Sequence, residues 1–197
     1  MKKIGLTGTT GSGKGLVGRL LRSFGCFVID TDALYHGLIS SDSALSREII
    51  SRFGKEVALE SGGVFRPNLA KIVFSDPQAL SDLNTIAHSY VVRECDNIIS
   101  GLPEGSFDIV VIDAPQLFEA HMDEICDATV AVVSDVNTRL ERICARDSIS
   151  REQAQARIDA QHTDEFFLAA CDYVIHNDSD AARLLVRVKS VLDEIKE

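Results

Sequence analysis

Apolar positions along the chain fall into two rhythms. Five short runs are almost unbroken: around Ile4 and Leu6, then at 26–29, 109–112, 128–133 and 173–175. Runs without polar alternation predict strands buried on both faces, the pattern of a parallel sheet. Between them apolar residues recur at three and four. Leu16, Val17, Leu20, Leu21 and Phe24 form one such stripe, and Leu184, Val188, Val191, Leu192 and Ile195 form the last. From about 33 to 106 only the helical rhythm is present, through Leu34, Leu38, Leu45, Ile49 and Phe53 and again through Leu69, Ile72, Val73, Leu80, Leu83 and Ile86. Ser61-Gly62-Gly63 and Asp76-Pro77 punctuate it. The expectation is an α/β fold: a five-stranded parallel sheet with helices on both faces and a helical insertion between strands two and three.

The first strand runs straight into Gly8-Thr9-Thr10-Gly11-Ser12-Gly13-Lys14, and the first helical stripe follows at once. Strand, glycine-rich loop and helix in that order make a phosphate-binding P-loop. Glycines let successive N–H groups turn inward as an anion nest. A helix starting near Gly13 adds its positive dipole end, and Lys14 is the mobile charge that follows the β- and γ-phosphates. The pattern ordinarily ends in Ser or Thr, whose hydroxyl ligates Mg²⁺. Here the next residue is Gly15, which offers no oxygen. Either other groups hold the metal, or the site binds phosphate without turnover.

Charge narrows the partners. The net charge is −10 and the pI near 4.9, so neither nucleic acid nor an anionic membrane is an expected partner. An anionic ligand must then be drawn by a local positive site. Arg139, Arg142, Arg146, Arg151 and Arg157 cluster late in the chain, and the first three share one helical face. That face reads as a polyphosphate site, or as a solvated face making ion pairs. With 197 residues, 45% of them hydrophobic, the chain suits a single domain with one insertion. Five scattered cysteines with no CxxC predict reduced thiols in a cytoplasmic protein. The chain enters its first strand without a signal peptide, and no apolar run approaches the roughly 20 residues that span a bilayer.

Acids stand where ligands gather in such folds, beyond the carboxyl ends of the strands. Asp30 and Asp32 follow strand two, as helix caps or as substrate groups. Asp113 closes the most apolar strand, the place of a carboxylate that holds Mg²⁺ directly or through water. The five histidines show no metal-ligand spacing.

These residues together resemble the dephospho-CoA kinase family over nearly the whole chain. Ile4-Gly-Leu-Thr-Gly8 leading to Gly11-Ser-Gly-Lys14 is similar to its opening, and Val28-Ile-Asp-Thr-Asp32 with His36 to its next segment. Phe53-Gly54, Gly63, Arg66, Leu69, Val73-Phe74, Leu83-Asn84, Ile86 and His88 follow its middle signature. Pro115, Leu117-Phe118-Glu119, Arg146-Asp147, Ser150, Arg157-Ile158, Gln161, Asp172-Tyr-Val-Ile and Asn177 follow its later ones. The resemblance implies a three-layer P-loop kinase fold in one domain. Its core would be 1–32, 107–138 and 170–197, with an acceptor-binding insertion at about 33–106 and an arginine-rich lid at about 139–169. It also implies ATP-dependent, Mg²⁺-assisted phosphorylation of the ribose 3′-hydroxyl of dephospho-CoA, the last step of CoA synthesis, with no obligate protein partner.

Carried over by position, Gly8, Thr9, Thr10, Gly11, Ser12, Gly13, Lys14, Gly15 and Leu16 would contact ATP, with Arg142, Arg146 and Asn177. Lys14, Asp32 and Arg146 would be catalytic, Asp32 as the base or orienter for the 3′-hydroxyl. Thr7, Asp32, Phe74, His88, Leu117 and Glu119 would line the acceptor site, and Asp113 would hold the metal through water. The chain departs from the family's pattern at Gly15 (Ser or Thr), Phe65 (usually Asp) and Ser89 (usually Pro). Two other readings stand beside this one: a P-loop kinase of another small acceptor, and a nucleotide-binding module without kinase activity.

Overall fold

In the computed structural model, which describes residues 1–178 and 180–197, the elements in chain order begin with β1 (Lys2–Gly8), α1 (Lys14–Ser23), β2 (Phe27–Asp30), α2 (Thr31–Ser40), α3 (Ala44–Phe53), α4 (Arg66–Ser75) and α5 (Pro77–Gly101). There follow β3 (Ile109–Asp113), β4 (Ala128–Val133), α6 (Val136–Asp147), α7 (Arg151–Asp159), α8 (Asp164–Ala170), β5 (Tyr173–His176) and α9 (Ala181–Lys196). The chain divides into two units, 1–29 with 103–197, and 30–102.

The first unit is the sheet, in the order β2-β3-β1-β4-β5. β1 lies at its centre, parallel to β3 and β4, and β4 is parallel to β5. Every residue of β1 from 4 to 8 is buried, and so is all of β3, which explains the missing polar alternation. One face of the sheet packs Ile4, Leu6, Val111, Val130 and Ile175 against Val17 and Leu21 of α1 and Leu184, Val188 and Leu192 of α9. On the other face Ala131 and Val133 pack against Phe167 of α8, with Phe118 and Phe166 around them. α1 ends as its sequence indicates. Gly25 takes φ 87°, its N–H reaches the Arg22 carbonyl, and that of Cys26 reaches Leu21, a Schellman stop.

The second unit holds α2 to α5 around a core of Ile39, Leu45, Ile49, Phe53, Leu69, Val73 and Leu83. Asp76 caps α5 by accepting from the Gln78 N–H, with Pro77 in the first turn. An antiparallel bridge between Ala58 and Val64 turns at Ser61-Gly62-Gly63, which the helical rhythm did not predict. Ser89 leaves α5 uninterrupted, its hydroxyl bonded back to the Ile86 carbonyl at 2.8 Å.

Candidate active site

The loop between β1 and α1 is shaped by two contacts that no side chain would survive. A Cβ on Gly8, at φ 143°, would lie 2.1 Å from the Val132 carbonyl oxygen of β4. Gly13 is the N-cap of α1 at φ 91° and ψ 22°, left-handed, and a Cβ there would meet Asn177 Nδ2 at 2.2 Å. Within the loop the Ser12 N–H closes onto the Thr9 carbonyl at 3.1 Å, and those of Leu16 and Val17 return to Gly13. Thr9 and Ser12 are buried, and their hydroxyls have no hydrogen-bond partner among the described residues. Left so, each costs about 1–3 kcal/mol.

Lys14 begins α1 and pairs with Asp113 Oδ1 at the end of β3. Asp113 is buried, and Gly18 of α1 makes room for it: a Cβ there would stand 3.2 Å from Oδ2. Gly15 lies exposed in the first turn, where a Cβ would meet nothing nearer than Arg19 Nη1 at 3.9 Å. Leu16 beside it is also exposed. Among the described residues no group of three or more His, Cys, Asp or Glu side chains is arranged to hold a metal ion. Asp113 is the carboxylate that pairs with the loop's lysine.

Arg142 of α6 reaches the loop from outside. Its Nη1 donates to the carbonyls of Gly11 and Ser12 at 3.3 Å each and to Ser134 Oγ at 3.2 Å, and its Nη2 to the Asn177 carbonyl at 3.0 Å. Asn177 follows β5, is buried, and donates its Nδ2 to the Ser12 carbonyl at 2.6 Å. Asp178 accepts from Ser134 Oγ at 2.7 Å and from the Asp135 N–H at 2.6 Å. Burial pushes the Asp178 carboxyl up, but these bonds and the nearby His176 and Arg142 outweigh it and leave it below the ordinary aspartate value.

The other arginines of the cluster have partners too. Arg139 is buried, with Nη2 3.3 Å from Asp164 Oδ2. Arg146 makes a bidentate pair with Asp147 at 2.8 and 2.9 Å, and Arg157 pairs with the same carboxylate. The hydrogen bonds from Arg146 hold Asp147 below the ordinary aspartate value, and the same contact raises Arg146. After α7, Gln161 Oε1 accepts the Thr10 N–H of the loop at 2.8 Å. His162 stacks on Phe166 with ring centroids 3.9 Å apart, its Nε2 3.3 Å from Glu119 Oε1. Thr7 is fully buried and donates to the Pro115 carbonyl at 3.3 Å, and Leu117 is fully buried against Gly5.

In the second unit, Asp30 is the N-cap of α2, accepting from the Ala33 N–H at 2.9 Å, while Asp32 stands exposed in the first turn. Phe74 of α4 is 82% exposed, and His88 of α5 is half-buried. Phe65, the N-cap residue just before α4, leaves that helix without a side-chain cap among the described residues. The sequence reading gave no role to Ser134, Asp178 or Gln161. For the first two a signal existed: Ser134-Asp135 and Asn177-Asp178 are polar pairs just beyond neighbouring parallel strands. For Gln161, at the end of a polar helix, no local pattern marks the contact.

The family model for CoaE, dephospho-CoA kinase, matches residues 2–183. A dephospho-CoA kinase of Syntrophotalea carbinolica is 39% identical over 178 residues, covering 90% of this chain and 84% of the relative. That of Thermobifida fusca is 36% identical over 196 residues, covering 100% and 97%. A solved structure from Thermus thermophilus superposes with a TM-score of 0.82 at 34% identity, over 98% of this chain and 97% of the other. The fold is that of the P-loop kinases. With its glycine loop, its Lys14–Asp113 pair and a family match from end to end of the sheet, the chain belongs to the dephospho-CoA kinase family.

Proposed function

We infer that the chain, as a dephospho-CoA kinase, moves the γ-phosphoryl group of ATP to the ribose 3′-hydroxyl of dephospho-CoA through the loop 8–14 and Lys14. The observation that carries this is the nest itself: a left-handed Gly13 at the start of α1, with Lys14 and Asp113 paired beside it. The hydroxyl oxygen attacks the γ-phosphorus, the bond to the β–γ bridging oxygen breaks, ADP departs, and the hydroxyl proton passes to Asp32. Transfer of this kind asks for positioning and charge neutralisation more than covalent chemistry. Lys14 and Arg146 supply positive charge to the γ-phosphoryl group, and Arg146 must exchange Asp147 for phosphate to do so. Asp32 is assigned as the base because Asp30, its neighbour in the motif, is engaged as a helix cap. Thr7, Phe74, His88, Leu117 and Glu119 are assigned to the acceptor, Phe74 as an exposed ring for an apolar or planar part of it.

Magnesium fits the residues present. The ion keeps several waters and needs few protein oxygens. Asp113 would hold it through water, and the open first turn at Gly15 leaves room for a water where a hydroxyl usually stands. Bound there, it would neutralise phosphate oxygens. A cytoplasmic location is proposed on the cysteine usage, five scattered residues with no CxxC; Cys95, fully buried, has its thiol pushed up to about 12 by desolvation. Among the described residues no helix is long and apolar enough to cross a membrane.

The test is to supply purified protein with ATP, Mg²⁺ and a panel of acceptors, and to follow products by mass. The expected result is CoA and ADP in equal amounts from dephospho-CoA. Faster phosphorylation of a nucleoside monophosphate or sugar acid would reassign the acceptor. Nucleotide binding with no turnover at any Mg²⁺ concentration would make the chain a binding module, the alternative that Gly15 leaves open.

A further inference from the structure

We propose that Arg142 is a positioning residue that shapes the phosphate nest from behind by gripping the loop's carbonyl oxygens, and not a ligand of the nucleotide's phosphates. The inference rests on the reading of the loop as a nucleotide site and deepens it. A peptide unit is planar and trans, so its C=O and N–H point in opposite directions. Fixing the Ser12 carbonyl, which receives both Arg142 Nη1 and Asn177 Nδ2, therefore turns the Gly13 N–H to the other side of the loop. Fixing the Gly11 carbonyl sets the Ser12 N–H, which closes the turn onto Thr9. The same packing requires glycine at position 13, left-handed at φ 91°, since a Cβ there would stand 2.2 Å from Asn177 Nδ2.

The guanidinium is committed by this geometry. Four acceptors, the carbonyls of Gly11, Ser12 and Asn177 and the Ser134 hydroxyl, take its Nη1 and Nη2 at 3.0–3.3 Å. Ser134 is held in turn, donating to Asp178 Oδ1, which also accepts the Asp135 N–H. This chain of bonds ties the ends of β4 and β5 to the loop that leaves β1. A forked, planar donor suits it, because a lysine ammonium cannot span acceptors on both sides of the fork.

The roles separate by which nucleotide feels the change. A nest-shaping residue acts on the whole run of amides, so ADP and ATP should suffer alike. A γ-phosphate ligand acts on ATP alone, and an adenine contact weakens adenosine as well. Equilibrium titrations of Arg142→Lys with ATP, ADP and adenosine are expected to show an equal loss of about tenfold for ADP and ATP and none for adenosine. Restoration of wild-type affinity by lysine would overturn the proposal, as would a loss confined to ATP or one shared by adenosine. Ser134→Ala guards against misfolding of the arginine variant. It leaves the charge in place and is expected to weaken ADP and ATP by the same factor, about threefold. No change in Ser134→Ala, or a loss for ATP alone, would also overturn it. Because the readout is binding, it stands or falls independently of which acceptor is phosphorylated.

Discussion

Asp30 and Asp32 sit two residues apart and differ in their engagement. Asp30 holds the Ala33 N–H at the start of α2, and Asp32 in the first turn is exposed. Asp30→Ala should cost about 1 kcal/mol of stability, as loss of a cap does, with turnover little changed. Asp32→Asn should leave the melting temperature where it is and cut kcat by about 10²–10⁴-fold, the usual worth of a general base. Melting curves and initial rates on both variants check the pair; a large rate loss in Asp30→Ala alone would interchange the assignments. Gly15 is a second residue with a sharp expectation. It has an ordinary helical conformation and open space around a Cβ, so Gly15→Ala should stabilise the fold by about 0.5–1 kcal/mol in denaturant titrations. Destabilisation there would show that something else needs the bare backbone.

At the scale of elements, all five strands were legible as unbroken apolar runs. Burial on both faces holds at the centre of the sheet, whereas β2 and β5, at its edges, each bury one residue of four. β2 and β5 each reach one residue past their apolar runs, to Asp30 and His176, because ladder pairing does not stop where hydrophobicity does. The short bridge at Ala58 and Val64 escaped notice, since a single pair of residues has no period. The arginine face of α6 was legible as a cluster but not as a set of partnerships. Spacing brings Arg139, Arg142 and Arg146 to one side, and only the folded chain shows Asp164, the loop carbonyls and Asp147 taking one each. Arg146 and Arg157 meet at Asp147, joining the end of α6 to α7. Its depressed pKa means this contribution is complete above the ordinary aspartate range and is lost as pH falls through the lower folded value. Denaturant midpoints of wild type and Asp147→Asn should therefore differ by a constant amount from about pH 5 to 8, where an aspartate is ionised whether folded or unfolded, and converge in stronger acid. A gap that widens in acid would rule Asp147 out as the group responsible.

For the molecule as a whole, a net charge of −10 means that a nucleotide approaches against the general field and is held by a small positive region. That region is already in equilibrium with an internal rival. With Lys14 as the proposed phosphate ligand, Asp113 occupies its ammonium in the structure, and nucleotide binding is expected to be an exchange of one anion for another whose affinity reports only the difference. Weak competitors such as free phosphate gain little from displacing a buried carboxylate, whereas a polyphosphate that also engages the loop amides gains more. Removing the rival should sharpen binding at the expense of chemistry. In the presence of a chelator, Asp113→Asn is expected to bind ADP about three- to tenfold more tightly by calorimetry. With the metal restored, the same variant should need more Mg²⁺ for half-maximal rate. Weaker ADP binding without metal would mean that Asp113 supports the ammonium's approach to phosphate and does not compete with it. If Asp113→Asn instead binds ADP more tightly, the carboxylate is expected to discriminate by ligand valence, favouring chains of phosphates over single ones.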